Sequence, residues 1–218
     1  MASEEDRLHA LNVVWGVSQV MPVWSWQLRE IARLMTQYGP ELESAVRVLK
    51  EEEEQTDEDF WQPTHPNMAL TSNYSPGLNP QGVVLHSTRG GNSTEGEYQG
   101  TINWFMNPAS EASAHFVIAR DGRITQMVGL DDKAWHAGWV LNSTHYGIEF
   151  EQPFKGDPIT DRQYNAGGYV LQLLEDHVGH PLPLIEHYKT PQGTSQGKSD
   201  IGPPFSVTKL QAALDARR

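Results

Sequence analysis

A chain of 218 residues without cysteine can hold a metal ion only through His, Asp or Glu, and this one carries nine histidines and 28 acidic side chains. Three of these residues close apolar runs or lie in the loops beyond them. His86 ends Val83-Val84-Leu85 and precedes the polar loop Ser87-Thr88-Arg89-Gly90-Gly91. His187 ends Leu184-Ile185-Glu186, and Asp200 follows in the loop Gly197-Lys198-Ser199-Asp200-Ile201-Gly202-Pro203-Pro204. Strand ends are rigid while the loops after them are accessible, so a site placed there is both well positioned and open to substrate. A catalytic metal needs about three protein ligands and one open position. Spacing alone does not separate these three residues from structural or surface ones.

The elements that must position them alternate between strand and helix. Val83-Val84-Leu85 reads as a short apolar strand. Tyr98 to Met106 reads as a helix, with Tyr98, Trp104 and Phe105 as its core residues. Ala114 to Ile118 and Ile124 to Val128 flank Arg120-Asp121-Gly122-Arg123, a hairpin signal because Asp-Gly accepts positive φ. In Tyr146-Gly147-Ile148-Glu149-Phe150-Glu151 the period of two puts Tyr146, Ile148 and Phe150 on one face, with Glu149 and Glu151 on the other. Thr160-Asp161-Arg162-Gln163 is a capping box that opens a helix carrying Tyr164, Leu171, Leu174 and Val178. A last helix follows Ser206 and turns Val207, Leu210 and Leu214 inward. The expected fold class is α/β, a mixed central sheet flanked by helices.

Charge is unevenly spread. Residues 1–60 hold 13 acidic and five basic groups, and the whole chain is net −12. That balance excludes nucleic acid as the main partner, which needs a basic face to displace counterions. Leu28 to Leu49 carries apolar residues at helical spacing, interrupted at Gly39-Pro40. The acidic run after it and the aperiodic stretch Gln62 to Gln81 place a boundary near residue 65. Residues 1–65 are expected to form a helical extension and linker, and residues 66–218 the main domain. The acidic N-terminus lacks the basic region of a secretory signal. The apolar stretch Leu11 to Trp26 is interrupted by Ser18, Gln19, Pro22 and Ser25 and is too short to cross a bilayer. Cytoplasmic synthesis without membrane insertion is therefore expected.

From Val83 to Phe205 the chain resembles the type-2 N-acetylmuramoyl-L-alanine amidases, the family that phage amidase lysozymes, cytosolic muropeptide amidases and peptidoglycan recognition proteins share. The matching segments occur in family order: Val83 to Thr88, Ser113 to Gly122, Ala134-Trp135-His136-Ala137-Gly138, Asn142 to Phe150, Ile185-Glu186-His187, and Lys198 to Pro203. The resemblance implies that His86, His187 and Asp200 bind Zn²⁺. Two imidazoles and a carboxylate would leave that ion Lewis-acidic with room for water or a substrate carbonyl. It further implies that Glu149 acts as general base and then acid, and that Lys198 stabilises the oxyanion. Trp135 and His136 are placed along the substrate cleft. Ala114-His115 looks like the cytosolic amidases rather than the phage lysozymes, which have tyrosine in place of Ala114. Ile201 stands where a proline commonly follows the ligand Asp.

The implied function is zinc-dependent hydrolysis of the bond between N-acetylmuramic acid and L-alanine in peptidoglycan or a muropeptide. The expected setting is a phage-type endolysin, made in the host cytoplasm and released through a holin. The alternatives are a cytosolic muropeptide-recycling amidase and a non-catalytic peptidoglycan-binding module. Oligomeric state is left open.

Overall fold

A computed structural model describes residues 62–91 and 96–218. The amphipathic segment expected over residues 28–49 and most of the 1–65 extension lie outside the described residues. Among those described, no helix is long and apolar enough to cross a membrane.

The sheet is built on β3 (Gly82–Ser87), buried at every position. A strand of Val, Val and Leu that is buried on both faces belongs in the middle of a helix-covered sheet. It pairs in parallel with β7 (His145–Phe150) on one side and β8 (Leu184–Glu186) on the other. β7 in turn pairs in parallel with β4 (Phe116–Ile118). β4 pairs antiparallel with β5 (Ile124–Gln126), and β1 (Asn67–Met68) closes that edge, giving the order β1-β5-β4-β7-β3-β8. Gly122, at φ +85°, makes the turn between β4 and β5, and Asp121 Oδ1 accepts from the Arg123 N–H. β2 (Tyr74–Pro76) and β6 (Asp132–Ala134) form a separate antiparallel pair. The stretch 62–81, expected to be aperiodic lead-in, thus holds two short strands. Backbone hydrogen bonds hold this stretch, such as Ala69 N–H to Gln126 O and Thr71 N–H to Met127 O, so its side chains need show no alternation.

Period two sorts the strand residues into two cores. Val83, Leu85, Phe116, Ile118, Tyr146, Ile148 and Phe150 pack beneath α3 (Asp161–Val178) and α5 (Val207–Asp215). Thr160 and Gln163 exchange the two capping-box hydrogen bonds that start α3. Leu171, Leu174, Leu210 and Leu214 are buried, the inward faces expected for these two helices. On the opposite side of the sheet, Val117 joins Tyr98, Ile102 and Phe105 of α1 (Glu97–Met106). Tyr98 and Phe105 are core residues as expected. Trp104 is not: it is 56 % exposed, because the helix buries only the stripe that faces the sheet.

The same alternation determines where the chemistry lies. His86 is in register with Glu149 across the parallel pair β3–β7. Both belong to the parity that avoids the α3/α5 core, so they share the α1 side of the sheet.

Candidate metal centre and cleft

His86 sits one residue from the end of β3, His187 begins the 3₁₀ turn His187–Lys189 directly after β8, and Asp200 comes from the loop beyond α4 (Pro191–Ser195). The loop is tied down close to the ligand. Tyr188 N–H donates to Asp200 O at 2.7 Å, Lys198 N–H donates to Gly193 O at 2.9 Å, and Arg89 Nη1 donates to Ser199 Oγ at 2.6 Å. These contacts bring one ligand atom from each of His86, His187 and Asp200 within 4.8 Å of the others. Asp200 Oδ2 lies 3.4 Å from His86 Nδ1 and 2.8 Å from His187 Nδ1, and all three side chains are largely buried.

A chain of hydrogen bonds sets the tautomer of His86. His136 Nε2 lies 3.1 Å from the carbonyl oxygen of His145, which can only accept, so Nε2 carries the proton. Burial and the neighbouring imidazoles hold the His136 pKa well below its ordinary value. The ring is therefore neutral and its Nδ1 is an acceptor. That Nδ1 is 2.9 Å from His86 Nε2, which must then donate. Burial lowers the His86 pKa as well, with His187 adding to the effect against hydrogen bonding to Asp200. With Nε2 donating to His136, a neutral His86 would leave Nδ1, 3.4 Å from Asp200 Oδ2, as the nitrogen able to ligate a metal. Donors on a tetrahedral ion with bonds of about 2.0–2.1 Å stand about 3.4 Å apart, so this pair already has that spacing. The donor set fits Zn²⁺. Burial acts to raise the Asp200 pKa, but hydrogen bonds and charge from the two histidines outweigh it and hold the carboxyl far below the usual carboxylate range.

Glu149 shows the opposite behaviour. Burial, followed by the charges of Asp200 and Glu97, pushes its pKa well above the ordinary value, with Lys198 opposing. Its Oε2 is buried without a partner among the described residues, and it lines a cleft of about 440 Å³ together with Thr88, Glu97 and Trp104. Lys198 is exposed, and its charge is felt by both His86 and Glu149. A buried carboxyl with a raised pKa, a lysine and a His–His–Asp group that could hold a metal are residue types that a hydrolytic centre uses.

The structure thus draws together His86, His187 and Asp200, with Glu149 and Lys198 close enough to interact with them. The cavity at Glu149 has neither the triad nor Trp135 and His136 in its lining. The Trp135 indole N–H donates to Ser75 Oγ at 3.0 Å, and the His136 ring is spent on His86 and His145. Glu151, the other glutamate on the outer face of this strand, is buried and accepts from the N–H groups of Tyr98 and Arg120. His115 is fully buried, with Gly147 N–H donating to its Nδ1 and its Nε2 on Asp132 O. Glu97 was missed in sequence. Its only local signal is that Glu97, Gly100, Thr101 and Trp104 recur at intervals of three and four.

The profile of the N-acetylmuramoyl-L-alanine amidase family matches residues 76–203. The N-acetylmuramoyl-L-alanine amidase A of Achromobacter lyticus is 43 % identical over 86 residues, covering 39 % of this chain and 44 % of that protein. The 1,6-anhydro-N-acetylmuramyl-L-alanine amidase AmpD of Haemophilus influenzae is 36 % identical over 109 residues, covering 44 % and 56 %. The chain therefore spans about half the length of these two relatives. A crystal structure of an AmpD derivative superposes with a TM-score of 0.52 at 26 % identity, over 68 % of this chain and 94 % of that one.

Proposed function

The chain belongs to the N-acetylmuramoyl-L-alanine amidase family, and from that premise we propose that it is a zinc enzyme hydrolysing the amide between the lactyl group of N-acetylmuramic acid and L-alanine in peptidoglycan. The observation that carries this reading is the buried His86, His187 and Asp200 group, whose ligand atoms lie within 4.8 Å of one another, with Glu149 in register with His86 on the next strand. His86, His187 and Asp200 hold the metal. When bound, zinc supplies a Lewis acid that polarises the amide carbonyl and acidifies water.

The chain's own residues do the rest. Glu149 Oε2 takes a proton from the attacking water as the new C–O bond forms. It returns that proton to the alanine nitrogen as the C–N bond breaks, leaving a lactyl carboxylate and a free α-amine. A carboxyl whose pKa is raised toward the working pH both accepts and releases a proton readily. The Lys198 ammonium stabilises the charge that develops on the carbonyl oxygen. His136 holds the ring of His86 in the tautomer that leaves Nδ1 free.

Whole wall is the preferred substrate in this reading, as for an endolysin made in the host cytoplasm and released through a holin. What supports it is exposed aromatic surface: Trp104, which lines the cleft, is 56 % exposed, and Phe154 is 52 % exposed. Such faces suit an extended sugar–peptide polymer. A soluble anhydro-muropeptide is the second reading, favoured by the name of the Haemophilus relative. The test is mass spectrometry of products from sacculi and from anhydro-muropeptides, using metal-stripped and zinc-reloaded protein. Stem peptides beginning with a free L-alanine amine, released only with zinc, are expected. Wall binding without release would refute the enzyme reading in favour of a binding module.

A further inference from the structure

Helix α1 turns one stripe toward the cleft. Glu97, Gly100, Thr101 and Trp104 lie at i, i+3, i+4 and i+7 and therefore share a face, and all four line the cavity that reaches Glu149. Three of them are poor choices for a purely structural helix. Glu97 is 2 % exposed. One of its oxygens accepts the neutral Gly90 N–H, while its Oε2 is buried without a partner among the described residues. Gly100 weakens a helix interior, yet a Cβ there would meet nothing within 4 Å, so packing does not require the glycine. Trp104 leaves more than half of its surface in solvent at the cleft.

We propose that this stripe binds a primary ammonium on the peptide arm of the substrate, so that the enzyme selects stem peptides whose diamino residue carries a free side-chain amine. The inference rests on the amidase reading and names a substrate class within it. A buried carboxylate with one neutral donor lacks both hydrogen bonds and counter-charge. An ammonium supplies three donors and the charge together. Thr88 and Thr101 provide hydroxyl acceptors for its remaining N–H groups, and the face of Trp104 attracts a cation. Gly100 leaves room above the helix for the methylene stem. A sugar hydroxyl or amide N–H would satisfy Oε2 but would bring no counter-charge to Glu97.

The experiment compares two synthetic muramoyl peptides that differ only in a lysine side chain, free in one and Nε-acetylated in the other, with the zinc-loaded full chain. The wild type is expected to cut the free-amine substrate with at least tenfold higher kcat/KM, mostly through KM. Glu97→Gln is expected to level the two substrates, read as the ratio of their kcat/KM values within that variant. Equal rates in the wild type, or a preference that survives in Glu97→Gln, would overturn the proposal. The wild-type comparison needs no variant and decides the matter even if Glu97→Gln fails to fold. Hydrolysis of neither substrate would remove the amidase reading, and this proposal with it; equal hydrolysis of both removes this proposal alone.

Discussion

Replacing His136 with phenylalanine keeps a flat ring against Gly147 but removes the acceptor that fixes His86. In the native protein His136 Nδ1 accepts a hydrogen bond from His86 Nε2–H at 2.9 Å, and His136 Nε2 donates to His145 O at 3.1 Å. Without it the buried Nε2–H of His86 loses its partner, worth about 1–3 kcal/mol. The ring can then shift its proton to Nδ1 and donate to Asp200 Oδ2, which withdraws one metal ligand. Both effects weaken binding, and losing a partner of this kind costs roughly 10- to 100-fold in metal affinity. The assay is zinc dissociation measured by chelator competition, with the visible spectrum of the cobalt-substituted protein reporting the ligand set. His136→Gln, whose carbonyl can accept from His86 and whose amide can donate to His145, is expected to recover most of the affinity. Thermal melting of the metal-free proteins separates loss of the fold from loss of the site. Wild-type affinity together with an unchanged cobalt spectrum in His136→Phe would refute the tautomer argument.

Glu149→Gln is expected to keep zinc but to lose turnover by about 10²–10⁴-fold, the usual contribution of a positioned acid–base group; product release from a muropeptide at saturating zinc measures it. Gly147→Ala would place a Cβ 2.7 Å from His136 Cγ, so it should loosen the same metal contact and lower the melting temperature. The metal-free protein should also weaken in acid. Burial holds the His115 pKa at about 4, against the opposing effect of its hydrogen bond to Asp132 O. The unfolded chain takes up a proton on this residue below about 6.5, whereas the folded chain does not until about 4. Stability is thus complete above about 6.5 and falls as pH drops toward 4, by about 2 kcal/mol at pH 5 from this group alone. His86 and His136, also lowered, push the same way. Urea unfolding at pH 7 and pH 5 checks it, and equal stability at the two values would contradict a neutral buried His115.

Much of the frame could be read from sequence because the physics that sets it is local. Alternation in Tyr146 to Glu151 assigned Tyr146, Ile148 and Phe150 to a core, and they form one with α3 and α5. The Thr160–Gln163 capping box and the Asp121-Gly122 turn need only neighbouring residues, and both form. His86, His187 and Asp200 were singled out by their places at strand ends and in a loop, and by the order of the motifs around them. What local pattern could not decide was the fate of residues that look alike along the chain. Glu149 and Glu151 stand on the same face of one segment. Glu151 is consumed by the Tyr98 and Arg120 N–H groups, while Glu149 is left with a bare oxygen in the cleft. The difference arises because the N-terminus of α1 lies over one of them and the end of β3 beside the other. Trp104 has the composition of a core residue, yet it is exposed, because the sheet covers only one stripe of its helix. Likewise, the role of His136 depends on which carbonyl and which imidazole flank its two nitrogens. Periodicity assigns a residue to a face of its own strand or helix, but the elements packed against that face decide whether it becomes core, anchor or cleft.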